Sequence, residues 1–416
     1  MHSRSLFCFF LTVATLSAAG QPSPEVAEAL NRKPRVILAP ENADLFNDIE
    51  SLETPGSGRV PNYLRALAPL PGSIKPFAHL MKTFLYGGTL APEVKLAMAL
   101  RIAQINQSSY TAAHVQRLLR NTARGEALFT AMQRPGLEAL APADKAAVRY
   151  AESLTRNIHA PTDAEFRQTR GWFNDSQIVE LTFTVCLFNY FSRYAEALHL
   201  PLEPWVLTTK PSPAPPPASS YEARVALISN EEMAATQHLM ATATAAAASP
   251  NSLGLGIANS QRAMMRVPDL GLAWRGFGFT VRDAAAVSRD IKLQISFAVS
   301  VQNGCRYCTI HQVVGLRRLG VKPAKLLAMQ KDDTVLTPRE LAAVTFARKL
   351  TGQPSSITDA DYEAIRKEFD EQGALEVLMQ TCNFAFMNRF TDSLRLPSED
   401  EAIRIYQETY GADGKK

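Results

Sequence analysis

The chain repeats itself at a fixed spacing, and this repeat limits the folds it can adopt. The segment ELTFTVCLFNYFSRYAEALHLPLE ends at Glu203, and the similar segment EVLMQTCNFAFMNRFTDSLRLPSE ends at Glu399. Identical residues in the two segments lie 196 positions apart, including the pairs Cys186/Cys382, Arg193/Arg389 and Pro201/Pro397. Further upstream, the offset is 197 for the pairs Asn106/Asn303, Tyr110/Tyr307 and His114/His311. Matches in the same order over about 100 residues predict a tandem duplication of one domain.

A proline-rich segment separates the two copies and contains the run KPSPAPPPASS. Proline lacks a backbone N–H and cannot lie inside a helix or a central strand. The run is therefore expected to be an extended, semi-rigid linker. The predicted organisation is a signal peptide at 1–20, a first domain at 21–205, a linker at 206–222, a second domain at 223–405 and a polar tail at 406–416.

The first 21 residues have the three parts of a secretory signal peptide. Arg4 precedes an apolar run at residues 6–16, and the small residues of 17–20 follow it. A helix over that run would rise only about 16 Å, which is too short to cross a bilayer core of about 30 Å. We expect a periplasmic or secreted protein with no membrane attachment after cleavage. An uncleaved amino-terminal anchor is the alternative.

The remaining pattern indicates an all-α protein. Apolar residues recur at helical spacing in 94–105, 145–155 and 340–351, and no segment shows a convincing strand alternation. Thr162 and Thr358 stand where they could cap the helices that follow. The 44 basic and 40 acidic residues are scattered, so the net charge of +4 does not suggest a nucleic-acid partner.

One constellation of side chains can carry chemistry. In the segment NGCRYCTIHQVVGLRRL, Cys305, Cys308 and His311 are spaced by one helical turn each. Asn303 and Gly304 are expected to end one helix, and a new helix is expected to start at the cysteines. The N-terminal N–H groups of that helix favour a thiolate, and His311 could accept a thiol proton. Two thiols at this spacing can also close a disulfide reversibly. A structural zinc site, a purely structural disulfide and inert thiols are the alternatives.

Other notable residues have simpler interpretations. The first copy has Ser108 and Thr111 in place of the two thiols, so we interpret it as a packing partner. Cys186 and Cys382 lie in apolar segments and are expected to be core thiols. Arg193 and Arg389 could pair with an internal carboxylate. The other histidines, which include His159, have no partner at an informative spacing, so surface or capping roles suffice for them.

The motif resembles the carboxymuconolactone decarboxylase and alkylhydroperoxidase D-like (AhpD-like) superfamily. The resemblance rests on N-G-C-x-Y-C with a following histidine, and on the two closing segments ending in L-P-x-E. It implies two tandem AhpD-like helical bundles that associate as a pseudo-dimer or a homo-oligomer. It also implies that Cys308 attacks a hydroperoxide, that Cys305 resolves the product and that His311 is the base.

The sequence departs from the alkylhydroperoxidase pattern at two positions. That pattern places a proton-relay glutamate twelve residues before the first cysteine, where this chain has Leu293. It also places the histidine four residues after the second cysteine, where this chain has Gln312. His114 in the first copy also lies three residues after the position that matches the second cysteine, as His311 does. These departures make the chain more similar to the decarboxylase-like branch. The motif therefore predicts the superfamily better than it predicts the reaction.

The resemblance favours an exported thiol–disulfide oxidoreductase with hydroperoxide reduction as its candidate reaction. Its partners would be a small-molecule substrate, either a hydroperoxide or an organic acid, and an external dithiol reductant. We expect no cofactor and no metal, because no nucleotide, haem or metal motif is present. The alternatives are a decarboxylase-like lyase and a non-enzymatic binding protein on the same fold.

The signal peptide can be tested directly on exported protein. Cleavage after the small residues predicts a mature chain that begins near Gly20 or Gln21 and lacks Cys8. Intact-mass spectrometry measures this, and a mass that retains residues 1–19 would count against the prediction.

Overall fold

The structure is a computed structural model that describes residues 24–47, 49, 59–208, 257–329 and 333–410. These residues form nineteen α-helices and no strand, which confirms the all-α fold class. The predicted signal peptide and most of the predicted linker lie outside the described residues. Within the described part of the chain, no helix is both long enough and apolar enough to cross a bilayer.

The first half, residues 24–208, contains the helices α1 (Pro24–Leu30), α2 (Asn62–Arg65), α3 (Ile74–Tyr86), α4 (Pro92–Ile105), α5 (Ser109–Arg120), α6 (Gly125–Met132), α7 (Pro142–Arg156), α8 (Asp163–Arg170), α9 (Asp175–Ala197) and α10 (Trp205–Thr208). The second half, residues 257–410, contains α11 (Asn259–Met264), α12 (Pro268–Asp283), α13 (Arg289–Asn303), α14 (Arg306–Arg318), α15 (Pro323–Ala328), α16 (Pro338–Gly352), α17 (Asp359–Arg366), α18 (Glu371–Ser393) and α19 (Asp400–Tyr410).

The predicted helix starts agree with the structure at α8 and α17. The hydroxyl of Thr162 accepts from the backbone N–H of Glu165, and the hydroxyl of Thr358 accepts from that of Asp361. In both cases the acidic side chain bonds back to the threonine N–H, which completes a capping box. Polar residues at these positions therefore determine where each helix begins.

Two segments that were expected to be irregular are helical. Trp205–Thr208 form a turn of helix at the start of the predicted linker, and α19 continues through Tyr410 into the predicted tail. In both places an apolar face is covered. Val206 is buried, and Tyr406 of α19 packs against the apolar cluster that contains Ile310 and Val314 of α14. Because the predicted tail is mostly polar, its composition did not indicate this covered face.

The two longest helices form the centre of the molecule. In α9 every residue from Ile178 to Ala197 is buried, and α18 is buried along most of its length. Helices with no exposed face must be surrounded by protein. They pack against each other, with the rings of Phe183 and Phe390 separated by 5.0 Å. The two halves therefore share one core.

Each half contains a buried lysine–glutamate pair. The Lys292 ammonium lies 2.9 Å from the Glu376 carboxylate, with side chains 4% and 0% exposed. Glu376 also accepts from the backbone N–H groups of Ala286 and Val287. In the first half, Lys95 and Glu180 make the equivalent pair at 2.5 Å. These contacts connect α4 to α9 and α13 to α18.

Replacement of Glu376 by glutamine should destabilise the protein strongly. Lys292 would stay buried without a counter-charge, and breaking a buried pair in this way costs about 3–5 kcal/mol. The free energy of unfolding in urea measures the change. Glu401→Gln is the matched control, because that carboxylate is on the surface, and it should cause no measurable change. Equal stability of Glu376→Gln and the unmodified protein would contradict the importance of the pair.

Candidate functional site

A glycine turn places the two cysteines. Helix α13 ends at Gly304, whose φ of +70° lies in the left-handed region that favours glycine, and Cys305 is the N-cap of α14. The predicted helix break and restart are therefore confirmed. A side chain at Gly304 would also be crowded, because its Cβ would lie 2.9 Å from Nε2 of His159 in the first half.

The two sulfur atoms meet at one hydroxyl group. Cys305 and Cys308 are both buried, and each Sγ lies 3.3 Å from Oγ1 of Thr391 on α18. The same oxygen lies 2.9 Å from the carbonyl oxygen of Met387, so its single proton can serve only one acceptor at a time. The four described cysteines are free thiols in the structure. A disulfide between Cys305 and Cys308 stays a prediction.

Both ring nitrogens of His311 have hydrogen-bond partners. Nδ1 lies 2.7 Å from the carbonyl oxygen of Tyr307, and Nε2 lies 2.5 Å from Oε2 of Glu399. A carbonyl oxygen only accepts, so Nδ1 carries a proton. Nε2 faces a carboxylate that also accepts from the Asn259 N–H at 2.6 Å and the Tyr307 hydroxyl at 3.1 Å.

The charges of this pair follow from its contacts. Burial favours a neutral Glu399, but hydrogen bonds from His311 and Asn259 outweigh it and lower the pKa of the carboxyl to about 2. Burial likewise opposes a charged His311, but Glu399 and the Tyr307 carbonyl outweigh it and raise the pKa of the imidazole. Both ring nitrogens of His311 face acceptors, so this geometry pairs an imidazolium with a carboxylate. The expected role of His311 as the base differs from this arrangement, because neither nitrogen is free to accept a thiol proton.

The imidazolium acts on Cys308 through its charge. Burial raises the pKa of the Cys308 thiol, but hydrogen bonds from Cys305, Thr391 and Asn388, together with the charge of His311, hold it below its ordinary value. The pKa of Cys305 is well above its ordinary value, because its S–H donates to Cys308 and because it is buried. Of the two thiols, Cys308 is therefore the one that ionises first.

A pocket of about 530 Å³ opens beside Thr391, the residue that both sulfur atoms contact, and neither cysteine lines it. Thr391 and Tyr307 line it, and so do three apolar side chains, Ile310, Leu396 and Ile403. Its charged lining comes from both halves of the chain: His159 from the first, and Arg306, Asp392 and Arg395 from the second. The volume is within the usual range for small-molecule sites.

The first half repeats the histidine–glutamate pair without the thiols. Nε2 of His114 lies 3.0 Å from Glu203, which also accepts from the hydroxyl of Tyr110 at 3.0 Å. At the positions of the two cysteines, Ser108 donates to the hydroxyl of Thr111 at 2.9 Å. The histidine–glutamate contact is therefore present in both halves and does not depend on the thiols.

Three polar residues that lie near the thiols or His311 were not predicted as site residues: Glu399, Thr391 and Asn388. A signal existed only for Glu399, because it matches Glu203 in the repeat. Arg193 and Arg389 are fully buried, but they donate to main-chain carbonyls at 3.1 Å, and no carboxylate partner lies among the described residues. The expected carboxylate pairing of these arginines is therefore wrong. Cys186 and Cys382 are fully buried core thiols, as expected.

Comparison with known proteins confirms the resemblance for the second half. Residues 268–349 match the carboxymuconolactone decarboxylase family. This segment carries Cys305, Cys308 and His311, whereas Thr391, Glu399 and most of the pocket lining lie outside it. The match does not include the first half, and the duplication and its domain boundaries therefore stay predictions. No curated protein matches the sequence.

Two solved structures are similar to part of the chain. The debrominase Bmp8, as a cysteine-to-alanine variant in complex with 2,3,4-tribromopyrrole, is 20% identical over 46% of this chain and 100% of its own, with a TM-score of 0.39. The apo form of Bmp8 is 21% identical over 44% of this chain and 95% of its own, with a TM-score of 0.37. Similarity at this level carries no conclusion about the reaction.

Removal of the imidazolium should make Cys308 harder to ionise. In His311→Gln the thiolate loses its nearby cation, so the pKa of Cys308 should rise. The rate of iodoacetamide modification of Cys308, followed by peptide mapping across pH, measures this pKa. His114→Gln makes the same change in the first half and should leave the curve in place. Coincident curves for His311→Gln and the unmodified protein would exclude the electrostatic role.

Proposed function

We propose that the second half is a thiol–disulfide oxidoreductase that reduces hydroperoxides. The proposal rests on one observation: both thiols contact Thr391, and their pKa values are shifted in opposite directions. The pKa of Cys308 is lowered, and the pKa of Cys305 is raised. A nucleophile must be a thiolate, and a resolving thiol can stay protonated until it reacts. Cys308 has the first property and Cys305 has the second.

The proposed reaction has two chemical steps and a reset. The Cys308 thiolate attacks the terminal oxygen of ROOH, the O–O bond breaks, and the leaving RO⁻ takes up a proton to become ROH. Cys308 is then a sulfenic acid. Cys305 attacks its sulfur, which forms a disulfide and releases water. An external dithiol returns both cysteines to thiols by exchange and becomes a disulfide itself.

His311 has an electrostatic role in this proposal. Its two N–H groups are held by Tyr307 and Glu399, so it offers a fixed positive charge rather than a proton acceptor. A fixed charge in a site shielded from water stabilises a thiolate without reorganising during the reaction. This role replaces that of the base.

The pocket supports an organic substrate. Its apolar side chains, Ile310, Leu396 and Ile403, would contact a hydrocarbon group while the peroxide oxygens approach Thr391 and the thiols. A cavity of about 530 Å³ is far larger than hydrogen peroxide requires. We also propose, from residues 1–21 alone, that the protein is exported, so that its reductant is a dithiol of the periplasm or the exterior.

Cysteine variants test the reaction. With an organic hydroperoxide and dithiothreitol as the reductant, Cys308→Ser should lose turnover, because the attacking thiolate is gone. Cys305→Ser should consume about one equivalent of hydroperoxide and then stop as a sulfenic acid or mixed disulfide. Cys186→Ala, which changes a core thiol remote from the pocket, should keep its turnover.

Two results would contradict the proposed function. Equal turnover by Cys308→Ser and the unmodified protein would show that the thiol is not the nucleophile. No hydroperoxide consumption by the reduced, unmodified protein would favour the decarboxylase-like or binding alternatives on the same fold.

A further inference from the structure

The first half contributes part of the wall around the thiols of the second half. The connection between α7 and α8 carries Ile158 and His159 across the boundary between the halves. Ile158 is buried in an apolar cluster with Cys305, Tyr307 and Cys308. His159 follows it and lines the pocket beside the thiols. The pocket is therefore incomplete without the first half.

His159 is held in one orientation. Its Nδ1 lies 2.8 Å from Oδ2 of Asp392, which follows Thr391 in α18. Because a carboxylate accepts, Nδ1 carries the proton, and Nε2 is the nitrogen that can gain or lose one. Nε2 makes no hydrogen bond to the described residues, and it faces the glycine turn that begins the cysteine motif. The side chain is 52% exposed, so it can exchange protons with solvent.

The matching positions in the other half do not have this arrangement. The residue that corresponds to His159 is Ser355, whose hydroxyl contacts Gln107 at 3.3 Å. The residue that corresponds to Asp392 is Glu196, and Arg32 pairs with it at 3.0 Å. The Arg32 side chain is only 6% exposed, so it covers Glu196 in the half that lacks thiols. The histidine–aspartate pair is present only beside the thiols.

We propose that His159, positioned by Asp392, donates the proton that the leaving oxygen takes up when Cys308 attacks a hydroperoxide. This inference rests on the proposed function. The Cys308–oxygen bond forms, the O–O bond breaks, and the RO⁻ group takes the Nε2 proton of an imidazolium to leave as ROH. His159 then recovers its proton from solvent. His311 cannot serve this purpose while Tyr307 and Glu399 hold its protons.

The groups around His159 determine how its activity depends on pH. Asp392 accepts a hydrogen bond from Nδ1 of His159, and two cationic side chains, Arg306 and Arg395, line the same pocket. Arg395 is partly neutralised by its ion pair with Asp163. The remaining ionisable group in the lining is the phenol of Tyr307, which stays neutral at the pH values used because burial raises its pKa. Only an imidazolium carries a proton on both ring nitrogens, so turnover should fall at alkaline pH.

The test compares two rates in the full-length protein. His159→Ala should reduce hydroperoxide turnover at pH 7 by about tenfold or more, since a positioned acid contributes about 10²-fold and solvent replaces part of it. The rate of iodoacetamide modification of Cys308 should stay within about twofold, because that reaction needs the thiolate but no acid. Added imidazole should restore turnover in His159→Ala. Asp392→Asn should also lower turnover while Cys308 modification stays unchanged, because the imidazole loses the carboxylate that orients it.

His79→Ala is the matched control, because that histidine lies on α3 and does not line the pocket, and its turnover should be unchanged. Unchanged turnover in His159→Ala would overturn this inference and leave the proposed function intact. A parallel loss of Cys308 modification, or no rescue by imidazole, would also overturn it, because either result indicates a structural role. If the unmodified protein consumes no hydroperoxide, the proposed function fails, and this inference fails with it.

Discussion

The packing of α9 against α18 is the contact on which the rest of the molecule depends. Neither helix has an exposed face that could be left in water, so each half needs the other to complete its core. This requirement holds the halves in one arrangement. It also places the α7–α8 connection of the first half over the cysteine turn of the second. A site that belongs to one half by sequence is thereby built from both.

Local sequence rules were sufficient for the helices and for the spacing of the thiols. The caps at Thr162 and Thr358, the break at Gly304 and the restart at Cys305 involve residues a few positions apart, where backbone geometry leaves few alternatives. The contacts of the site join residues that lie far apart in the sequence. Thr391 is 83 residues from Cys308, Glu399 is 88 from His311, and Asp392 is 233 from His159. Such contacts depend on how the helices pack, which the periodicity of a single segment does not specify.

The repeat could have identified one of these distant residues. Glu203 and Glu399 occupy the same position in the two L-P-x-E segments, and each accepts hydrogen bonds from a tyrosine and a histidine of its own half. Because the first half keeps this arrangement without thiols, the carboxylate connects the chain after the long helix to the helix that bears the histidine. Thr391 and His159 had no such signal, since their counterparts are Ala195 and Ser355.

In the proposed reaction, the charge balance around Cys308 gives the two histidines different roles. A thiolate that is 3% exposed needs a nearby cation, and His311 supplies one whose own charge is balanced by Glu399. When the thiolate becomes a neutral sulfenic acid, this pair can stay ionised, because its hydrogen bonds do not depend on sulfur. The same stability prevents His311 from giving up a proton during the reaction. The proton for the leaving oxygen would then come from another group, and His159 lines the pocket with an Nε2 that makes no hydrogen bond to the described residues.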